Sequence, residues 1–527
     1  MSENIMDYVK HGQAFGPTDS SLIKVSHKNV LKQLFDPQNK IYSALQLNPS
    51  IVIGRRGSGK TAYLHHVFLS DQYKIVQEIK TSKTFSQIVG TIEKTIPNYV
   101  PAEEVSTLWE ELIYLAVMSQ VATVFRGESR ELDMIRDYMA KENLQVPNGP
   151  ESFLWKVVKS ISAKAGAGIV GAVAEIVKET TGVDFETARD ITEKLLEEKN
   201  VKAIVLLDSL EQYPTEIPTV ANALAGLLKC AGQFNERHEN VHLRLCLPAE
   251  LYHIFLDVVS TNPLKDLSPP NTLTLHWIAG ELLSLAAHRL GIYFQAYFPN
   301  FDPKAVDYSN REHVREFLLK SLPSVVTNGN GEPEDIFAYL LRHTQLQPRH
   351  LLIYLNAIFE RQRKLDKSIY PKISEIAVRN GIVETEHLLC DEVFSGFKVL
   401  YPKIRTICES CIPQLPLTFS DGELQKVFVR RGKKASGLSD YWDFKRLLIE
   451  TGIVGRVMGE TERYTIGRFE YTEPHKLVVG TDDMLCLHPV FATVYKYKKI
   501  AGRKPIYPYG TDIDGEDHRE WSRVLNG

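Results

Sequence analysis

The chain has 527 residues, of which 43% are hydrophobic and 24% charged, and its formal net charge is -3 at pH 7. This length holds roughly two to four domains around large buried cores and excludes a single small module. The near-neutral charge excludes a chain-wide attraction to polyanions, so any nucleic-acid contact must be a local patch.

Met1 to Gly16 is polar and lacks the apolar core of a leader, and the longest apolar stretch, Leu112 to Phe125, is interrupted by Ser119 and Gln120. It is too short to span a bilayer, so the expectation is a cytoplasmic protein with no membrane span. The six cysteines are too sparse for a disulfide framework and suit a reducing compartment. Gln13-Ala14-Phe15-Gly16-Pro17 reads as a turn that could lie beside an adenine ring, and Ser26 to Phe35 as a short helix. The apolar run Ile51-Val52-Ile53 then leads into Gly54-Arg55-Arg56-Gly57-Ser58-Gly59-Lys60-Thr61, and an amphipathic stretch from Thr61 to Leu69 follows. Strand, glycine-rich loop and helix in that order make a full Walker A. Its glycines let backbone amides curl round an anion, Lys60 reaches the β and γ phosphates of ATP, and Thr61 holds Mg²⁺. Arg55 and Arg56 add charge to the loop, with a solvated face as the expectation for both.

Tyr73 to Ile79 reads as a second strand, after which helical periodicity dominates a large insertion, 84–200. Within it, Val105 to Phe125 and Phe185 to Lys199 are amphipathic helices, and Ser162 to Val173 is rich in small residues, as in a tightly packed helix pair, the favoured reading, or a membrane-active or mobile segment. Val201-Lys202-Ala203-Ile204-Val205-Leu206-Leu207-Asp208 is a buried parallel strand ending in an acid, the pattern of a Walker B element. Asp208 then holds Mg²⁺ through water and Glu211 orients the attacking water; the alternative makes Asp208 a helix cap. A helix from Thr219 to Phe234, a strand from Val241 to Leu247 and another from Thr272 to His276 complete an alternating pattern, which predicts a parallel sheet covered on both faces.

From Trp277 to about Ile412 the chain is helical, with Pro and Gly punctuation from Asn328 to Pro333. Cys408 and Cys411 form a C-x-x-C that Cys486 and His488 could complete as a zinc site, but no second C-x-x-C exists and buried structural thiols are the better reading. Asp421 to Val429 and Ser439 to Glu450 then read as helices, and Ile453 to Val457, Arg463 to Tyr471 and Met484 to Phe491 as strands, the order of a winged helix. Arg430, Arg431, Lys433 and Lys434 cluster between its helices, and Lys496, Lys498, Lys499, Arg503 and Lys504 follow its last strand. No structure is assigned to the Pro-, Gly- and Asp-rich tail, Arg503 to Gly527.

The phosphate loop, the Asp208-Ser209-Leu210-Glu211 box, Leu275-His276-Trp277 followed by Glu281-Leu282-Leu283, the helix start Gln347-Pro348-Arg349-His350-Leu351-Leu352 and the terminal winged helix resemble STAND and origin-recognition-type AAA+ ATPases over most of the chain outside the insertion. The resemblance implies an α/β P-loop NTPase core at 1–275 with its helical insertion, a helical lid at 276–412, a winged-helix-like domain at 413–500 and a tail at 501–527. It implies a Mg²⁺-dependent ATPase, with Arg349 sensing the γ-phosphate. Two departures stand out: Leu245-Cys246-Leu247-Pro248-Ala249-Glu250 lacks the usual first-sensor polar residue, and Leu251 to Thr274 contains no arginine to act as a finger in a closed ring. The expected function is a slow ATP switch acting on a protein partner or on a second copy, as in prokaryotic signalling or antiviral defence. The alternative is a DNA-binding initiator or loader that uses the winged helix.

Overall fold

The computed structural model describes residues 4–24, 26–35, 48–69, 72–80, 102–127, 129–141, 185–208, 218–251, 271–367, 371–472 and 477–508. Glu211, the small-residue segment 162–173 and most of 251–274 lie outside them. By compactness the chain divides into one unit of Lys40–Gly54 and Lys60–Leu275, and another of Met1–Asn39, Arg55–Gly59 and His276–Gly527. Residues 1–39, grouped with the core in the sequence reading, thus cluster with 276–527.

The first unit is built on five parallel strands, β1 (Ile51–Gly54), β2 (Tyr73–Lys80), β3 (Lys202–Asp208), β4 (Val241–Pro248) and β5 (Thr272–Thr274), in the order β2-β3-β4-β1-β5. All of β1 and β4, and Ala203 to Leu207 of β3, are buried; β1 and β3 accordingly read as unbroken apolar runs, whereas β4 carries the buried polar residues His242 and Arg244. Helix α1 (Lys60–His66) follows the loop and packs on β1 and β4. Helices α2 (Ala102–Val124), α3 (Arg130–Lys141) and α4 (Phe185–Glu198) are the described part of the insertion, and α2 packs on α5 (Pro218–Arg237) and on β2, β3 and β4. The one polar atom of the fully buried Tyr114 is satisfied: its hydroxyl donates to Glu193 Oε1 at 2.5 Å and lies 2.7 Å from His238 Nδ1.

The second unit contains α6 (Ala279–Tyr297), α7 (Arg311–Leu319), α8 (Ile336–Arg342), α9 (Pro348–Leu365), α10 (Glu375–Phe397) and α11 (Ile404–Cys411). Helices α9 and α10 approach closely at Gly381, where an added Cβ would lie 2.8 Å from the Ile358 Cα. The Asn328 to Pro333 punctuation is the turn of a short antiparallel hairpin, β6 (Val325–Thr327) with β7 (Pro333–Asp335). The Gln13 to Pro17 turn is held by α9: Phe15 is buried edge-on against Phe359, its amide donates to Asn356 Oδ1 at 3.0 Å, and Asn356 Nδ2 donates to the Gly16 carbonyl at 2.9 Å.

Towards the C-terminus, α12 (Asp421–Val427) starts on a Ser420/Glu423 capping box and runs into a π turn, Phe428–Gly432, and a last turn, Lys433–Ser436. Helix α13 (Tyr441–Glu450) is capped by Asp440. A second sheet has the order β12-β10-β9-β11-β8, from β8 (Thr418–Ser420), β9 (Val454–Glu460), β10 (Thr465–Arg468), β11 (Met484–Leu487) and β12 (Ile506–Pro508). The strand expected over Met484 to Phe491 ends at Leu487, because Pro489 opens α14 (Pro489–Val494), whose cap is His488. Within the tail, Ile506–Pro508 pairs in parallel with β10. Cys408, Cys411 and Cys486 are buried thiols, and burial pushes the pKa of Cys408 well above its usual value. His488 is already committed, with Nε2 3.0 Å from the Thr344 carbonyl and Nδ1 accepting from the Val490 amide.

Candidate functional site

Strand β1 lies between β4 and the edge strand β5, and the chain leaves its carboxyl end through the glycine-rich loop, where ligands of open parallel sheets bind. Gly57 and Gly59 have φ of 86° and 98°, the left-handed region that a side chain resists. The turn is closed by the Ser58 amide, which donates to the Arg55 carbonyl at 3.0 Å. Lys60 opens α1 and folds back, its Nζ donating to the Gly54 carbonyl at 2.8 Å. An ammonium that donates to a loop carbonyl is placed to exchange that acceptor for a phosphate oxygen.

Thr61, next on α1, donates its hydroxyl to Asp208 Oδ2 at 2.9 Å. Asp208 is the last residue of β3, which is separated from β1 by β4, so the two sequence signals, 147 residues apart, meet in one spot within one unit. A hydroxyl and a carboxylate on rigid elements form an oxygen donor set of the kind Mg²⁺ takes, with waters and phosphate oxygens completing its shell.

Within the second unit, residues 55–59 are seated by contacts that the sequence did not foretell. Trp277 Nε1 donates to the Ser58 carbonyl at 2.9 Å, and the Arg349 amide to the Gly57 carbonyl at 3.4 Å. A Cβ on Gly57 would lie 2.7 Å from Gln347 Oε1 and 3.2 Å from the Arg349 Cβ, so only glycine fits. Arg55, expected on a solvated face, is instead half-buried: it donates to the Glu450 carbonyl at 2.6 Å, and its guanidinium stands over the rings of Phe397 and Tyr471. The planar, weakly hydrated guanidinium tolerates that apolar setting, as an ammonium would not. Arg56 is exposed and donates to Ser395 Oγ at 2.5 Å.

Pro348 is the first residue of α9 and Arg349 the second, as the sequence predicts. The Arg349 guanidinium is gripped by Glu392 Oε1 at 2.6 Å, Asp19 Oδ2 at 2.8 Å and the Thr18 carbonyl at 3.3 Å. Against the opposing effect of burial, hydrogen bonds from Ser21 and the charge of Arg349 hold the Asp19 carboxyl below the usual range. Its neighbour His350 is buried, and burial lowers its pKa to about 4, so it stays neutral beside Glu392.

No protein-family model matches the chain, and no curated protein matches it. Among solved structures it is similar to the ORC2 protein of Aeropyrum pernix in ADPNP-ADP complexes, with 12% identity and a TM-score of 0.36, over 92% of this chain and 97% of that one. A likeness at that score assigns neither family nor activity, and the functional argument rests on the loop and its partners. No helix among the described residues is long and apolar enough to cross a membrane, and none of their His, Cys, Asp and Glu side chains form a group of three able to hold a metal.

Proposed function

We propose that the chain is a P-loop ATPase of the origin-recognition-like AAA+ type that binds ATP with Mg²⁺, hydrolyses it slowly and acts as a nucleotide-dependent switch. The observation that carries this reading is the 2.9 Å hydrogen bond between Thr61, directly after the loop lysine, and Asp208 at the end of β3. Lys60 would leave the Gly54 carbonyl for the β and γ phosphate oxygens, and the amides freed by the two left-handed glycines would cradle them. Thr61 and Asp208 would hold Mg²⁺, which when bound neutralises charge on the phosphate oxygens. Glu211 would orient the attacking water.

Arg349 is the proposed sensor of the γ-phosphate. In the structure its charge is satisfied by Asp19 and Glu392, so sensing would require an exchange of those carboxylates for phosphate, and the N-terminal segment that carries Asp19 would be released with it. The same helix start seats Gly57, which ties the loop's conformation to α9. The partner would be a protein or a second copy, and the setting a cytoplasmic signalling or defence pathway. The test is equilibrium ATP binding with and without Mg²⁺ for the parent and for Thr61→Ala and Asp208→Asn. Both variants should lose the Mg²⁺-dependent part of the affinity; an unchanged Mg²⁺ effect in both would remove the assignment.

A second reading, DNA binding through the C-terminal winged-helix-like region, is favoured by one observation. Lys426, Arg430, Arg431, Lys433 and Lys434 are all exposed on the continuous α12, π-turn and last-turn segment, with no ion pair to any described residue. An uncompensated row of cations on one element is what phosphate contacts require.

A further inference from the structure

Within the second unit, α8, α10, the β6–β7 turn, α14 and the segment after it enclose a cavity of about 630 Å³. That is the size of a small-molecule site. It shares no residue with the phosphate loop or with the residues that seat it. Its wall is apolar over Ile382, Leu417, Pro489, Ala492 and Ile506, with Tyr339 and Tyr497 adding aromatic faces.

Charge on the lining is one-sided. Arg379, Lys496 and Lys499 are exposed at the rim and form no ion pair with a described residue, whereas Arg342 deeper in is neutralised by Glu334 at 2.9 and 3.2 Å. Among the described lining residues the only acid is Glu386, which is 3% exposed and lies 2.8 Å from His343 Nδ1. Burial raises the Glu386 carboxyl to about 8 and keeps His343 far below its usual value, which favours the uncharged acid. The other ring nitrogen, His343 Nε2, is buried with no hydrogen-bond partner among the described residues, on a residue 4% exposed. An unmet buried polar atom costs stability and marks a place where a ligand can supply the partner. Lys496 is placed by the end of α14: its φ of 54° makes the left-handed cap of that helix, with the Tyr497 amide donating to the Ala492 carbonyl at 3.1 Å.

We propose that this cavity binds a small organic phosphate of nucleotide size, with its planar part against the tyrosines and the apolar wall and its phosphate among Arg379, Lys496 and Lys499. A phosphate monoester matches three separate cations better than a carboxylate does, because it carries close to two negative charges and three acceptor oxygens.

The probe is the fluorescent monophosphate mant-AMP, titrated against the full chain carrying Lys60→Ala, which silences the phosphate loop. Saturable binding is expected, weakened roughly 30-fold or more when Lys496→Glu and Lys499→Glu are added, since each lost charge-assisted contact removes about a factor of ten. Both lysines are exposed, so the charge reversals should leave the fold intact, as circular dichroism can verify. Mant-adenosine, without the phosphate, should bind at least tenfold more weakly than mant-AMP. No saturable binding to the Lys60→Ala chain, or binding that the two reversals leave unchanged, overturns the proposal. Because Lys60→Ala is present throughout, failure here is separate from failure of ATP binding at the loop.

Discussion

Replacing Gly57 by alanine tests whether the phosphate loop is held in shape by the start of α9. Gly57 has φ of 86°, and the new Cβ would stand 2.7 Å from Gln347 Oε1 and 3.2 Å from the Arg349 Cβ. Left-handed backbone costs a non-glycine residue about 1–2 kcal/mol, and forcing a methyl into a filled site adds about 1–3 kcal/mol. The first part is intrinsic to the residue. The second belongs largely to Gln347, whose side-chain oxygen is buried without a hydrogen-bond partner and so can be removed at little cost. A chain of several domains does not unfold in one step, so the readout should be local: hydrogen exchange of the peptide spanning the loop, followed by mass spectrometry. Gly57→Ala should speed opening of that peptide roughly 30- to 5,000-fold, corresponding to the summed cost of about 2–5 kcal/mol. In a Gln347→Ala background the same substitution should cost about 1–2 kcal/mol less. If it cost the same with and without the Gln347 side chain, the seating of the loop on α9 would be refuted.

Other outcomes follow from the same geometry. Arg349→Ala should weaken ATP binding while leaving ADP affinity nearly unchanged, because the proposed exchange involves only the γ-phosphate; equal losses for both nucleotides would remove the sensor role. Duplex DNA binding, measured at several salt concentrations, should give a log-log slope of about -3 to -4 if Arg430, Arg431, Lys433 and Lys434 contact phosphates, and replacing all four by alanine should flatten it. No binding at low salt would leave the switch with a protein partner. The Glu386 carboxyl, raised to about 8 by burial, binds its proton more tightly in the folded chain than in the unfolded one. Its contribution is therefore full below the usual carboxylate range and is lost as pH rises towards 8, while neutral His343 works the other way, losing stability as pH falls below its usual value. Denaturation midpoints of the parent and Glu386→Gln should accordingly shift in the variant's favour between pH 5 and pH 8, and a pH-independent difference would contradict a protonated acid at this site.

Much of the first sheet was legible because burial on both faces leaves an unambiguous mark. Ile51-Val52-Ile53 and Ile204 to Leu207 are apolar without a break, and each leads into residues that the sequence assigns to a nucleotide site. Pro348 at the first position of α9 was equally readable, since proline fits there and nowhere further in. The partners of Arg349 were not. Asp19 lies 330 positions away and Glu392 43, and neither sits in a pattern that local periodicity can reveal. Edge strand Ile506–Pro508 escaped notice for a related reason: three residues paired in parallel with β10 depend on a distant strand rather than on their own alternation. At Met484 to Phe491 the signal was present and outweighed, because the apolar run suggested a continuous strand although His488-Pro489 is a helix start. Arg55 shows the opposite limit, a charged residue whose aromatic neighbours, Phe397 and Tyr471, are supplied only by the fold.

The central claim is that the loop and the end of β3 form an ATP site, and the most direct measurement is ATP affinity and turnover, side by side, for the parent, Lys60→Ala and Glu211→Gln. If Lys60 supplies the charge on the β and γ phosphates, its loss should abolish binding or turnover, and if Glu211 orients the water, Glu211→Gln should bind ATP as the parent does yet fail to hydrolyse it. Hydrolysis by Glu211→Gln at the parent rate would show that another group orients the water. ATP binding and turnover that Lys60→Ala leaves untouched would contradict the site itself.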